Sequence, residues 1–194
     1  MSSPPIPTRT RAPAMSVEDR RTAIVAAAVP LFLDGGPAVT TREVALAAGI
    51  AEGTVFRAFA DKDELVEAVI EAALDPTPLD EALDAIDPEL PLVDRLVAAT
   101  DALRERVTTF LKVIPLVGSV ADGRLKTGGA PVHLPRLEAL LAPDADRLRL
   151  SPTETAHLLR GMVVASVHPS FHPGQPRSST EIVDLLLHGV AREA

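Results

Sequence analysis

The chain has 194 residues, a net charge of -8, 46% hydrophobic and 24% charged residues, 3% aromatics and no Cys, Trp or Tyr. That length allows one large domain or a small domain fused to a larger one, and a core built from Leu, Val, Ile and Ala is the core of packed helices. The missing cysteines exclude disulfides, thiolate chemistry and zinc ribbons. No run is long and apolar enough to span a bilayer, and residues 1–15 lack the apolar middle of a signal peptide, so a soluble cytoplasmic protein with no membrane partner is expected. The acidic excess argues against a surface coated in nucleic acid but leaves room for a local basic face.

Residues 1–15 carry Pro4, Pro5, Pro7 and Pro13 with Arg9 and Arg11. This composition cannot bury a core and reads as a disordered arm, either a minor-groove arm or a solvated leader. From 17 to 35, Ile24, Ala28, Leu31 and Phe32 recur at helical spacing until Gly35-Gly36-Pro37, and Pro30 predicts a bend near Ala26. Thr40 and Glu43 form a capping box that starts a second helix at Thr41. Gly49 ends that helix, Ile50 plugs the turn, and a third helix runs to about Phe59. Asp61 and Glu64 repeat the capping logic and open a fourth helix through Leu65, Val66, Val69 and Ile70 to Leu74.

Asp75-Pro76-Thr77-Pro78 breaks the pattern and divides the chain. The expected parts are the arm 1–15, a helix-turn-helix domain 16–60, a connecting helix 61–74 and a helical domain 75–194. Within the last, 79–86 reads as a short helix. Leu92, Leu96, Ala99, Leu103, Val107, Phe110 and Ile114 mark a long amphipathic helix, bent at Pro115. A glycine-rich loop follows at 118–131, then a short helix at 134–141 and a connection at 143–152. Two apolar helices, 153–167 and 180–191, close the chain. No strand or repeat is evident, so the fold class is all-α.

Two short helices around a glycine turn, followed by a capped third, have the layout of a helix-turn-helix that docks on DNA. The N-terminal residues of the recognition helix face base edges, which selects Glu52, Gly53, Thr54, Phe56 and Arg57. Val55, Phe59 and Ile50 belong to the core. Across about residues 17–70 the chain resembles the TetR family of transcriptional regulators. The resemblance rests on Thr40-Thr41-Arg42-Glu43-Val44-Ala45, the turn Ala48-Gly49-Ile50, the segment Gly53-Thr54-Val55-Phe56, and Phe59 with Lys62 three residues on. It implies a homodimer with an N-terminal DNA-binding domain and a helical C-terminal domain holding an effector pocket and the dimer interface. It also suggests that Arg42 binds guanine O6 and N7 bidentately, a fork equally suited to a phosphate. Lys62, at the positive end of the fourth helix, favours a phosphate. Three departures shift the balance. Ala51 stands where a Ser usually caps the recognition helix, Phe56 stands where Tyr is common, and Glu52 faces a polyanion, where its carboxylate can accept from cytosine N4. Selectivity is expected to outweigh phosphate attraction.

The second domain is expected to hold an apolar small-molecule effector among Phe110, Ile114, His133, Met162 and Phe171. Leu158, Leu159, Met162 and Val163, with Ile182, Leu185, Leu186 and Val190, suit a four-helix interface between two copies of the chain. His168 and His172 have a metal spacing, but Pro169 disfavours a regular helix and further ligands are lacking nearby in sequence. Residues 118–125 miss the Lys and Ser or Thr of a phosphate loop, and Ser151, Asp144 and His157 lack a nucleophile elbow. No catalytic residue, metal or cofactor is therefore expected. The reading is a dimeric repressor released from its operator by a small molecule. The alternative is a helical small-molecule binder or enzyme whose helix-turn-helix only packs.

Overall fold

In the computed structural model, residues 16–120, 135–171 and 174–189 are described. The arm 1–15, His133, His172 and Val190 lie outside them. The described residues form nine α-helices and no strand: α1 Val17–Gly35, α2 Thr41–Ala47, α3 Glu52–Ala58, α4 Lys62–Ala73, α5 Thr77–Asp84, α6 Leu92–Val117, α7 Pro135–Leu141, α8 Pro152–Val167 and α9 Ser179–His188. Short 3-10 segments at Gly36–Ala38 and Ala142–Arg147 link α1 to α2 and follow α7. Pro30 and Pro115 each sit inside a continuous helix.

Several of these boundaries follow from local chemistry. Reciprocal capping boxes start α2 at Thr40 and Glu43, α8 at Ser151 and Glu154, and α9 at Ser178 and Glu181. The last two helices thus begin one residue earlier than the apolar pattern suggests, and α9 stops at His188, before Gly189 at φ 81°. At α4 the Asp61 carboxylate accepts from the Glu64 N–H, but Glu64 does not return the bond. Its carboxylate accepts from Ala60 N–H and Arg21 instead.

Two apolar cores divide the molecule, and along the chain their members change over between Leu74 and Leu79, except that the end of α6 returns to the first. The first gathers Ile24, Ala28 and Phe32 of α1, Val44 and Ala45 of α2, Val55 of α3, Phe59, and Leu65, Val66, Val69 and Ile70 of α4. It also takes Val113, Leu116 and Val120, at and just beyond the end of α6. The second joins Leu92, Leu96, Ala99 and Leu103 from the first half of α6 with Leu83, Leu137, Leu141, Leu159, Val163 and Ile182. One 26-residue helix therefore belongs to both. Within the second region, buried Arg95 donates to Asp144 and to the Pro88 carbonyl, so the start of α6 is tied to the segment after α7. A second cation, Arg147, also donates to Asp144.

Candidate nucleic-acid interface

The turn between α2 and α3 is a Schellman closure. Gly49 N–H donates to Leu46 O at 3.1 Å and Ile50 N–H to Ala45 O at 3.0 Å, with Gly49 at φ 66°. Any side chain at Gly49 would be strained in this left-handed conformation, whatever space surrounds it. The half-buried Ile50 packs against the first core as the plug of the turn.

The turn sets α3 with one face inward and one outward. Val55 and the following Phe59 are each 1% exposed and anchor the inward face. Glu52, Gly53, Phe56 and Arg57 are exposed and Thr54 is half-buried. Arg42 is exposed on the neighbouring α2, and neither it nor Arg57 has a hydrogen-bond or ion-pair partner among the described residues. The structure thus brings Arg42 and the α3 residues singled out from the sequence onto adjoining short helices.

Gly53 is the most telling of these positions. A Cβ built there would meet no heavy atom of the described residues within 4 Å, and the backbone is ordinary helix. Nothing among the described residues asks for glycine, which costs a helix roughly 0.5–1 kcal/mol relative to alanine.

Two expected contacts acquire intrachain roles. One Glu52 carboxylate oxygen accepts from the Thr41 hydroxyl at 2.7 Å, joining the starts of α2 and α3 where Ala51 supplies no side-chain cap. The Glu52 side chain is otherwise exposed. The Lys62 ammonium donates to the Pro37 carbonyl at 2.7 Å and lies 6.0 Å from the centre of the Phe32 ring, so it braces α4 against the 3-10 segment. An ammonium has three donors, and this bond uses one. Lys62 also acts on Glu43. The Glu43 carboxyl lies below its ordinary value, held there first by the Thr40 N–H and then by the Thr40 hydroxyl, with Lys62 adding charge.

The sequence reading missed Arg21 and Leu46 here and gave Glu64 only a capping role. Arg21 of α1 donates to the Ala58 carbonyl and, at 2.8 Å, to Glu64, while its guanidinium lies 4.2 Å from the Phe59 ring centre. It therefore clamps the C-terminal end of α3 to α1 and α4. Glu64, held below its usual carboxylate value first by the Ala60 N–H and then by Arg21, completes the clamp. Partners 37 and 43 positions away leave no local pattern to find. Leu46 is 82% exposed, one helical turn beyond Arg42, and an outward apolar residue on a short amphipathic helix was a signal open to detection.

The expected effector residues that are described differ in their surroundings. Phe110 and Ile114 are exposed on α6, and Met162 packs against the second core. Phe171, with His157, Arg160, Gly161, Val164 and Ala165, borders an open hollow along α8. The proposed interface residues also divide, because Leu159, Val163 and Ile182 are buried in the chain's own core whereas Leu158 points out. Ser151 and Asp144, two members of the rejected triad, are engaged as a helix cap and an ion-pair partner. Among the described residues no group of three or more His, Asp or Glu is placed to hold a metal, and no helix is long and apolar enough to cross a membrane.

Residues 24–69 match the family described as "Bacterial regulatory proteins, tetR family". Solved structures extend the likeness in fold to most of the chain. The transcriptional regulator SCO0520 from Streptomyces coelicolor is 24% identical, with a TM-score of 0.57, over 90% of this chain and 99% of that one. LfrR from Mycobacterium smegmatis, solved with proflavine, is 19% identical with a TM-score of 0.56 over 92% and 100%. AibR, solved with isovaleryl coenzyme A and operator DNA, is 19% identical with a TM-score of 0.51 over 87% and 96%.

Proposed function

We propose that this chain, a member of the TetR family of bacterial regulatory proteins by the match over residues 24–69 and by its all-α fold, is a dimeric repressor released from operator DNA by a small molecule. The observation that carries the DNA-reading part is the outer face of α2 and α3. There Arg42 and Arg57 are untied, and Gly53 leaves open a space, both among the described residues. An α-helix fits the major groove, and a glycine at its second position lets the backbone approach the base edges. In this reading the Arg42 fork takes guanine O6 and N7, the second Glu52 oxygen accepts from cytosine N4, and Thr54 and Phe56 meet thymine methyls or phosphate. Arg57 and the remaining Lys62 donors take phosphates.

Dimerisation is proposed through the outer faces of α8 and α9. Leu158 is 45% exposed, Gly161 and Ala165 are open, and Leu185 is half-buried. A second pair of helices could lie closely on this small apolar strip, and none of the described residues comes within 4 Å of the site of a Gly161 Cβ. The effector is proposed to be an apolar small molecule bound among the C-terminal helices. AibR and LfrR were each solved with a small organic molecule. Binding would favour a conformation whose recognition helices no longer match the operator spacing.

The test is selection of bound duplexes from a random library at several salt concentrations. A near-palindrome with half-sites about one helical turn apart is expected, with affinity falling as salt rises. The absence of salt-sensitive binding to any duplex would refute the reading. Retention of the selected operator by Arg42→Ala at full affinity would refute the assignment of that residue.

A further inference from the structure

α4 ends without a cation of its own in the last turn. Arg106, in the middle of α6, meets the carbonyls of its last residue Ala73, of its cap Leu74 and of the following Asp75. One terminal nitrogen donates to Ala73 O at 3.1 Å and Asp75 O at 3.0 Å, and the other to Leu74 O at 2.6 Å. These carbonyls lie at the end where a helix leaves its acceptors unsatisfied and its dipole is negative. A planar guanidinium can serve several of them at fixed angles, as an ammonium cannot. Burial works against the charge of Arg106 while the Asp75 carboxylate favours it.

The position of Arg106 along α6 gives this cap its consequence. Leu92, Leu96, Ala99 and Leu103 belong to the second core, whereas Val113 and Leu116 belong to the first. Arg106 lies between the two sets, at the point where α6 passes from one core to the other. α4 carries the first core's Leu65, Val66, Val69 and Ile70, and its start is linked through Glu64 and Arg21 to the end of α3. Apolar packing at Val113 and Leu116 tolerates small slides, whereas three directed hydrogen bonds resist them.

From this geometry we infer that Arg106 is a positioning residue that fixes the C-terminal end of α4 on α6 and thereby sets how α3 is presented to DNA. The inference rests on the operator-binding reading for its last step only, since the setting of α4 can be measured without DNA.

The chain has no cysteine, so Asp63→Cys at the start of α4 and Val93→Cys at the start of α6, both exposed sites, provide clean spin-label positions. The full-length labelled chain is diluted into unlabelled chain so that within-chain distances dominate the double electron–electron resonance signal. Arg106→Gln is expected to shift or broaden the 63-to-93 distance distribution and to weaken binding to the library-selected operator about tenfold, in line with loss of charge-assisted hydrogen bonds. Arg106→Lys should move both readouts in the same direction by less. Leu103→Ala is the control, a buried core truncation on the same helix, and should lower the thermal midpoint while leaving the distance in place.

An unchanged distance distribution in a folded Arg106→Gln chain overturns the inference, as does full operator affinity despite a changed distance. If Arg106→Gln does not fold, the same two criteria apply to Arg106→Lys. Failure of the DNA reading itself is distinguishable, because the unsubstituted chain would then bind no operator while the distance measurement still decides how α4 is held.

Discussion

The two regions use their cations differently. In the C-terminal region Arg95 and Arg147 hold Asp144, and Arg136 holds Asp80 and Asp84. In the N-terminal region Arg21 is tied inward to Ala58 and Glu64, but Arg42 and Arg57 are exposed and untied among the described residues. A chain with a net charge of -8 can therefore still hold exposed cations free for a partner, because the pairing of other cations inside the chain does not involve them. Net charge describes the average surface, whereas DNA docking depends on the charges that internal pairing leaves over.

The comparison breaks most severely at Phe59, which is 1% exposed beneath Arg21. Phe59→Ala should cost about 3–5 kcal/mol in denaturant unfolding through lost burial and a cavity. It should also abolish operator binding while the chain remains dimeric in sedimentation. Loss of the dimer as well would mean that the two cores unfold as one unit.

The next test uses acid and acts on the C-terminal region. Burial tends to raise the Asp144 pKa, but hydrogen bonds from Arg147 and Arg95 and their charges outweigh it, so the carboxyl sits below its ordinary value of 3.8. A depressed folded pKa means that the contribution to stability is present above the ordinary value and disappears as the pH falls through the folded one. The thermal midpoint of the native chain should therefore fall through this acid window more steeply than that of Asp144→Asn, which starts lower at neutral pH. Equal slopes would remove Asp144 from the acid response. Glu43 and Glu64 are also depressed, so the difference between the two chains, rather than either slope alone, carries the result.

What was legible in the sequence follows the range of each interaction. The capping box at Thr40 and Glu43 and the Gly49 turn are written within a few residues and were read correctly. The boxes at Ser151 and Ser178 were equally visible as Ser followed three residues later by Glu, and reading them would have placed the starts of α8 and α9. The outward face of α3 was also legible, because helical periodicity separates Val55 from Phe56. The Arg21 clamp, the second role of Lys62 and the Arg106 cap were not legible. Their partners lie 25 to 43 positions away, and an arginine's identity does not reveal which distant carbonyl it meets. The split of α6 between two cores was hidden for a related reason, since one unbroken amphipathic pattern gives no sign that its two halves face different neighbours.

The outer face can be probed without disturbing the inner one. Arg42→Ala should reduce operator affinity by about 1–3 kcal/mol, the usual worth of a bidentate base contact, while stability stays within about 0.5 kcal/mol, as for surface substitutions generally. A loss of affinity that is uniform across operator variants would assign Arg42 to a phosphate, and a loss confined to one base pair would assign it to guanine.

Gly53→Ala gives the smallest and sharpest test. The new methyl meets nothing within 4 Å among the described residues, and alanine favours a helix by roughly 0.5–1 kcal/mol over glycine. Thermal unfolding should therefore show equal or slightly higher stability. If glycine is there to let DNA approach, operator affinity should fall in the same variant, moving binding and stability in opposite directions. A core residue cannot produce that pair of signs, because filling or emptying the core changes folding first and binding through it. Stability and affinity rising together would mean that the space beside Gly53 is not used by DNA, and the docking face would have to be centred elsewhere on α2 and α3.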